Sequence, residues 1–244
     1  MIPGLPKPNH QIIGHRGAAG LAPENTLASF KQAATLDLNW VEFDVRQCSS
    51  GEWLVFHDLT LNRTTNGRGK VSNTPYSVIK ELDAGSWFDP HFKTERVPLL
   101  SEVLTCLQML NIHPNIEIKK IENNKEAAVE NFLNCLNTLW PKTLAPPLIS
   151  SFDLDVLILI KKKQDTLPIG YLTEKYSKEK LTTAIKHQFN TFNCRYKGLN
   201  PKIIKTITKE LPLLLYTLNN AKLINQFLAE GVSAVFSDMT QHRT

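Results

Sequence analysis

Short runs rich in β-branched and apolar residues alternate with amphipathic stretches along this 244-residue chain, and that alternation restricts it to a parallel α/β fold. The composition reads as strands at 11–14, 40–45, 53–56, 115–118, 148–151, 169–172, 191–194, 213–217 and 234–236. Amphipathic segments lie between them, at 27–36, 126–139, 154–163, 178–187, 201–210 and 221–230. With 53–56 as an accessory strand, eight strands remain, and eight such units close a (β/α)8 TIM-type barrel. Residues 59–98 break the rhythm: Asn66-Gly67-Arg68-Gly69, Pro75, Gly85 and Pro90 make the stretch turn-rich, with one brief helical piece near 77–82. It reads as a small insertion after the second strand region. There it would hang over the carboxyl-terminal face of a barrel as a lid or specificity wall. One domain over 1–244 is the expectation, since 42% hydrophobic content is enough for a sizeable core.

The chemistry concentrates between residues 14 and 58. Glu42 and Asp44 stand two apart in Trp40-Val41-Glu42-Phe43-Asp44-Val45, so a buried strand presents both carboxylates on one face. Unpaired buried charges cost several kcal/mol each or force protonation, and a divalent cation is the simplest partner. Glu117 and Lys119 repeat the alternation in Asn115-Ile116-Glu117-Ile118-Lys119, adding a third carboxylate, although an idle ion pair on a half-exposed strand gives the same pattern. Three carboxylates make an oxygen shell suited to Mg²⁺ or Ca²⁺, and zinc is disfavoured for want of sulfur ligands. His15 and His57 each follow an apolar strand run, which places two proton-transfer groups at strand ends. Three carboxylates set against a divalent ion, Arg16 and Lys119 leave one positive charge, the complement of a single phosphodiester. Arg16 would then fork onto the phosphate or brace a carboxylate, and Lys119 would act as a point charge.

Neighbouring residues have structural readings as well. Asn25 or Thr26 is placed to cap a helix, and Ser151 likewise ahead of Phe152-Asp153. Asn62-Arg63-Thr64-Thr65 reads as a solvated turn within reach of an anion, while Trp87 and Phe88 either wall the site or pack the insertion onto the barrel. Net charge is +5, but the basic residues are scattered without an aromatic-interleaved stripe, so nucleic acid is not the natural partner. Met1-Ile2-Pro3-Gly4-Leu5-Pro6-Lys7-Pro8 is no signal peptide or anchor, and no apolar run approaches the roughly 20 residues of a membrane helix. Four dispersed cysteines read as reduced thiols of a cytoplasmic protein without a stable membrane anchor. The oligomeric state stays open, with a homodimer among the options.

In these residues the chain resembles the glycerophosphodiester phosphodiesterase family of the phospholipase C-like phosphodiesterases. The resemblance runs in order through His15-Arg16-Gly17, Pro23-Glu24-Asn25-Thr26, Glu42-Phe43-Asp44-Val45, His57-Asp58, Arg63-Thr64-Thr65, Gly85-Ser86-Trp87-Phe88, Pro98-Leu99-Leu100-Ser101-Glu102-Val103-Leu104 and Asn115-Ile116-Glu117-Ile118-Lys119. It implies a TIM-type barrel with an insertion, a metal at Glu42, Asp44 and Glu117, and acid/base roles for His15 and His57. It also implies hydrolysis of glycerophosphodiesters such as glycerophosphocholine or glycerophosphoethanolamine to glycerol 3-phosphate and an alcohol. By analogy with the wider group, His15 takes a proton from the nucleophile and His57 gives one to the leaving alkoxide. Arg16, Lys119, Trp87, Phe88 and Tyr216 become the substrate-contacting candidates. The family often has Trp where Tyr216 stands, and Thr-Asp-Arg-Pro where this chain has Ser237-Asp238-Met239-Thr240; both departures bear on pocket shape. The rival readings are a phospholipase C-like activity on lipid or lysolipid and an inactive head-group-binding barrel.

Overall fold

The computed structural model describes residues 11–122 and 124–238. Its elements run β1 (Ile12–His15), α1 (Leu27–Thr35), β2 (Trp40–Gln47), β3 (Trp53–Val55), α2 (Tyr76–Ile79), α3 (Leu100–Leu110), β4 (His113–Ile118), α4 (Lys125–Leu139), β5 (Leu148–Ser151), α5 (Leu154–Lys163), β6 (Ile169–Thr173), α6 (Lys178–Lys186), β7 (Thr191–Arg195), α7 (Pro201–Thr208), β8 (Leu213–Tyr216), α8 (Ala221–Ala229) and β9 (Ala234–Ser237). Eight of the strands pair in parallel, and β1 pairs with both β9 and β2, which closes the sheet into a (β/α)8 barrel. β3 runs antiparallel on β2 as the accessory strand. Strand and helix positions match the periodicity to within about two residues, but the amphipathic pattern does not single out α3, whose turn-rich approach masks its start.

Period two divides the strand residues between two environments. Outward-facing Val41, Phe43, Val45, Ile116, Ile118, Ile149 and Phe192 pack under the helices in the main core. Inward-facing Ile13, Trp40, Leu148, Leu214, Ala234 and Phe236 fill the amino-terminal floor of the barrel. Above that floor the interior turns polar, with Asn115 donating to Ser150 at 3.1 Å and Thr191 donating to Asn193 at 2.8 Å. Gly170 allows this crowding, because a Cβ there would lie 2.7 Å from the Thr191 hydroxyl and 2.8 Å from the Asn193 amide. The apolar floor closes one end of the barrel, so charged side chains gather at the other.

Side-chain caps start most of the helices: Thr26, Asn124, Asp153, Ser177, Asn200 and Asn220 each accept from a first-turn N–H. Thr26 rather than Asn25 therefore caps α1, and Asp153 rather than Ser151 caps α5. Ser151 instead donates to the Ile118 carbonyl and accepts from the Asp153 N–H. The insertion between β3 and α3 carries a small core of its own, in which Leu54, Phe56, Leu61, Val71, Ile79 and Val97 are buried together. Its helical piece is Tyr76–Ile79, flanked by 3₁₀ turns at Val71–Asn73 and Pro90–Phe92. No helix among the described residues is long and apolar enough to cross a membrane, and residues 1–8 lie outside the described residues.

Candidate active site

The β2–β4 register sets Asp44 beside Glu117 and Glu42 beside Asn115, while β1 sets His15 beside Glu42. The strand face shared by Glu42, Asp44 and Glu117 thus becomes one buried cluster, with an oxygen from each lying within 4.8 Å of the others. Lys119 follows directly on β4, its Nζ 2.5 Å from Glu117 and 3.1 Å from Asp44. Glu42 receives the Arg16 backbone N–H at 3.1 Å on Oε2, but its Oε1 is buried with no hydrogen-bond partner among the described residues.

Each histidine is oriented by a carboxylate. His15 Nδ1 lies 2.5 Å from Asp238 and His57 Nδ1 lies 2.7 Å from Asp58, which turns Nε2 of each ring the other way, that of His15 to 3.9 Å from Glu42 Oε2. A chain of ion pairs ties His57 back to the carboxylate cluster. Arg63 forks onto Asp58 at 2.7 and 2.9 Å and onto Glu24 at 2.7 Å through two nitrogens. Glu24 in turn accepts from Arg16 at 2.6 Å, and Arg16 Nε stands 3.4 Å from Asp44. The end of β3 and the insertion thereby contribute His57, Asp58 and Arg63, and Arg63 locks them to the loop after β1.

Electrostatics separates the three carboxylates when no cation is present. Burial and the Asp44 charge push Glu42 up to about 8. Burial works on Asp44 the same way, but Lys119 and Arg16 outweigh it and hold that group far below the carboxylate range. Glu117 is raised by burial and by Asp44. His15 lies above its ordinary value, because Asp238 and Glu42 overcome the desolvation that would lower it, whereas burial lowers His57. The hydrogen bonds from Arg63 bring Asp58 down to about 2. Three ionised acids this close oppose one another without a cation, and Glu42 Oε1 has no hydrogen-bond partner among the described residues.

The model of the glycerophosphoryl diester phosphodiesterase family matches residues 15–242. The chain belongs to this family. A glycerophosphodiester phosphodiesterase of Bacillus subtilis (strain 168) is 32% identical over 244 residues, covering 93% of this chain and 82% of that protein. One from Caldanaerobacter subterraneus subsp. tengcongensis is 31% identical over 228 residues, covering 93% of each. The structure of an Oleispira antarctica phosphodiesterase in complex with the product sn-glycerol-3-phosphate superposes with a TM-score of 0.91 at 31% identity, over 95% of this chain and 94% of that one. As a glycerophosphodiester phosphodiesterase, the chain is a phosphoric diester hydrolase acting on a small molecule.

The structure places the other candidate residues of this phosphodiesterase more variously. Arg16 is committed to Glu24 and lies close to Asp44, so it braces the carboxylates. The charge balance read from the sequence leaves out Glu24, Asp58, Arg63 and Asp238, which also carry charge at the site, and Arg16 shares its charge with Glu24 and Asp44, in line with the bracing role. Tyr216 donates to the Thr173 carbonyl at 2.8 Å and meets the Phe152 ring edge-on at the barrel mouth. Trp87 and Phe88 pack against each other, Phe88 also packs against Phe92, and the Trp87 indole donates to Ala84, so their contacts lie within the insertion. Met239 and Thr240 lie outside the described residues.

Asn25, which the sequence suits better to a cap than to a substrate contact, lies in the site. Its Nδ2 donates to Asp44 Oδ2 at 2.8 Å and its Oδ1 accepts the Asp44 N–H at 3.3 Å. Its φ of 59° is a left-handed conformation that Asn tolerates better than most residues. No helix-start pattern reveals that role. Loss of a hydrogen bond that orients a metal ligand typically costs 10- to 100-fold in metal affinity. With a divalent cation on the carboxylate cluster, the Asn25→Ala variant would be expected to need about tenfold or more extra metal for half-maximal activity, with kcat at saturating metal reduced less. A titration of rate against metal concentration checks this.

Proposed function

We infer that this enzyme hydrolyses small, deacylated glycerophosphodiesters to glycerol 3-phosphate and an alcohol, with Mg²⁺ or Ca²⁺ at Glu42, Asp44 and Glu117 and with His15 and His57 moving the protons. The observation that carries the reading is the buried carboxylate trio flanked by two imidazoles, each held by its own acid. The residues fit a hard divalent cation: the donors are all oxygen, and buried Glu42 Oε1 has no other partner among the described residues. When bound, the ion supplies Lewis-acid polarisation of a phosphoryl oxygen and neutralises charge that develops there.

The remaining work falls to the chain. Lys119 sets a positive charge at the edge of the cluster for the substrate anion, and Arg16 and Asn25 hold Asp44 in place. The Nε2 atoms of His15 and His57 are left to take a proton from the nucleophile and to give one to the leaving alkoxide. The nucleophile is water or the neighbouring hydroxyl of the glycerol. Analogy gives the base role to His15, whereas the neighbours in the metal-free protein favour protonated His15 and neutral His57. We take the chain as one domain whose insertion completes the site. Its four cysteines are free, which supports a reducing, cytoplasmic setting.

The test is release of glycerol 3-phosphate from glycerophosphocholine and glycerophosphoethanolamine. Turnover is expected with Mg²⁺ or Ca²⁺, and its abolition with EDTA. Activity that survives exhaustive chelation, or appears only on vesicle-bound lipid, contradicts the reading.

A further inference from the structure

On the Glu117 side of the cluster, a cleft of about 490 Å³ opens between the end of β2, the segment after β4 and the start of α5. Arg46, Glu117, Lys119, Lys120, Phe152 and Leu154 line it. Glu117 and Lys119 also belong to the carboxylate cluster, so the cleft opens directly beside the place where a phosphodiester would be held; the inference rests on that reading of the site. Glycerol is common to every substrate, and the variable alcohol is what a specificity cleft distinguishes.

The cleft's charges are unevenly matched. Lys119 is paired with Asp44 and Glu117, and Asp153 at the rim is paired with Lys125 at 2.9 Å. Arg46 and Lys120 have no carboxylate within 4.0 Å among the described residues. Arg46 lies two residues beyond Asp44, hence on the same strand face, and its Nε donates to the His57 carbonyl at 2.7 Å. Lys120 is exposed. Asp44, Glu117, Glu122 and Asp58 attract Arg46 at longer range, and Glu122 also attracts Lys120, although Ser72 donates to Glu122 at 2.5 Å and Lys70 lies 3.8 Å from it. Phe152 is 41% exposed and stands edge-on to Tyr216, with ring centroids 6.0 Å apart, forming an apolar wall beside the two cations.

We propose that Arg46 and Lys120 determine specificity by drawing into this cleft an alcohol group that carries its own negative charge. One exposed phenyl ring attracts a quaternary ammonium weakly, and two cations without a close carboxylate repel it. The cleft therefore disfavours a choline group and accepts an anionic one, with the apolar part of the alcohol lying against Phe152.

Three soluble probes differ in the charge of the leaving alcohol: glycerophosphocholine (cationic), glycerophosphoglycerol (neutral) and bis(glycerophospho)glycerol (anionic). Wild-type kcat/KM is expected to rise in that order, and the spread is expected to shrink with added salt. Lys120→Glu is expected to lower kcat/KM on the anionic probe about tenfold, mainly through KM, and to raise it on glycerophosphocholine, with glycerophosphoglycerol within about twofold. Lys120→Ala falls between. A wild type that prefers glycerophosphocholine, or a Lys120→Glu variant whose anionic-to-cationic ratio is unchanged, overturns the proposal while leaving the catalytic reading intact. A wild type inert on all three with Mg²⁺ and Ca²⁺ supplied overturns the catalytic reading and the proposal together.

Discussion

The Glu42→Gln variant is expected to lose roughly 10³-fold in kcat/KM with metal supplied, and yet to melt at a higher temperature than the wild type in EDTA at pH 9. Both effects have one cause. In the metal-free protein, burial and Asp44 push Glu42 up from 4.5 to about 8, so between those values the folded chain holds a proton that the unfolded chain releases. The stability from that proton is fully present below about pH 4.5 and is lost as pH rises through about 8. Glutamine keeps the shape without the charge, so it removes the penalty and, with it, one of the three carboxylates proposed to hold the cation. Mg²⁺ or Ca²⁺ is expected to raise the wild-type melting temperature most at alkaline pH, where about 2.7 kcal/mol accrues at a hundredfold excess over Kd. Thermal melts at pH 6 and pH 9, in EDTA and in each metal, measure this. A variant less stable than the wild type at pH 9 in EDTA would show that the carboxylates do not repel one another as the structure indicates.

His15→Ala and His57→Ala are each expected to lower kcat by roughly 10²- to 10⁴-fold on an alkyl glycerophosphodiester, with smaller changes in KM. Their orienting acids matter less. Asp238→Asn and Asp58→Asn still offer an oxygen to the imidazole Nδ1, so losses of about 10- to 100-fold are expected. Leaving-group chemistry separates the two histidines. A p-nitrophenyl ester departs without protonation, so the variant that lacks the general acid recovers most of its rate on that substrate, and the variant that lacks the base does not. Recovery of both variants would exclude the paired proton-transfer scheme.

The barrel was largely legible because its determinants are local. The alternation of strand runs with amphipathic segments and the spacing of Glu42 and Asp44 both follow from backbone periodicity, which a sequence displays directly. The helix α3 escaped that reading, and so did the exact caps, because turn chemistry decides element ends. The shell around the catalytic candidates was less visible. Glu24 and Arg63 are separated by 39 residues and His15 and Asp238 by 223, and no local pattern pairs them.

By itself, the sequence determined the fold class, the inward face of β2, and the residue types that would collect at a strand-end site. Only the tertiary structure decided the β2–β4 register that brings Glu117 beside Asp44, the commitment of Arg16 to Glu24, and the cleft in which Arg46 and Lys120 stand with no carboxylate within 4.0 Å among the described residues. The reason is physical. Which way a side chain points is set within a few residues of it, whereas which charges meet is set by barrel closure, and closure joins segments that are distant along the chain.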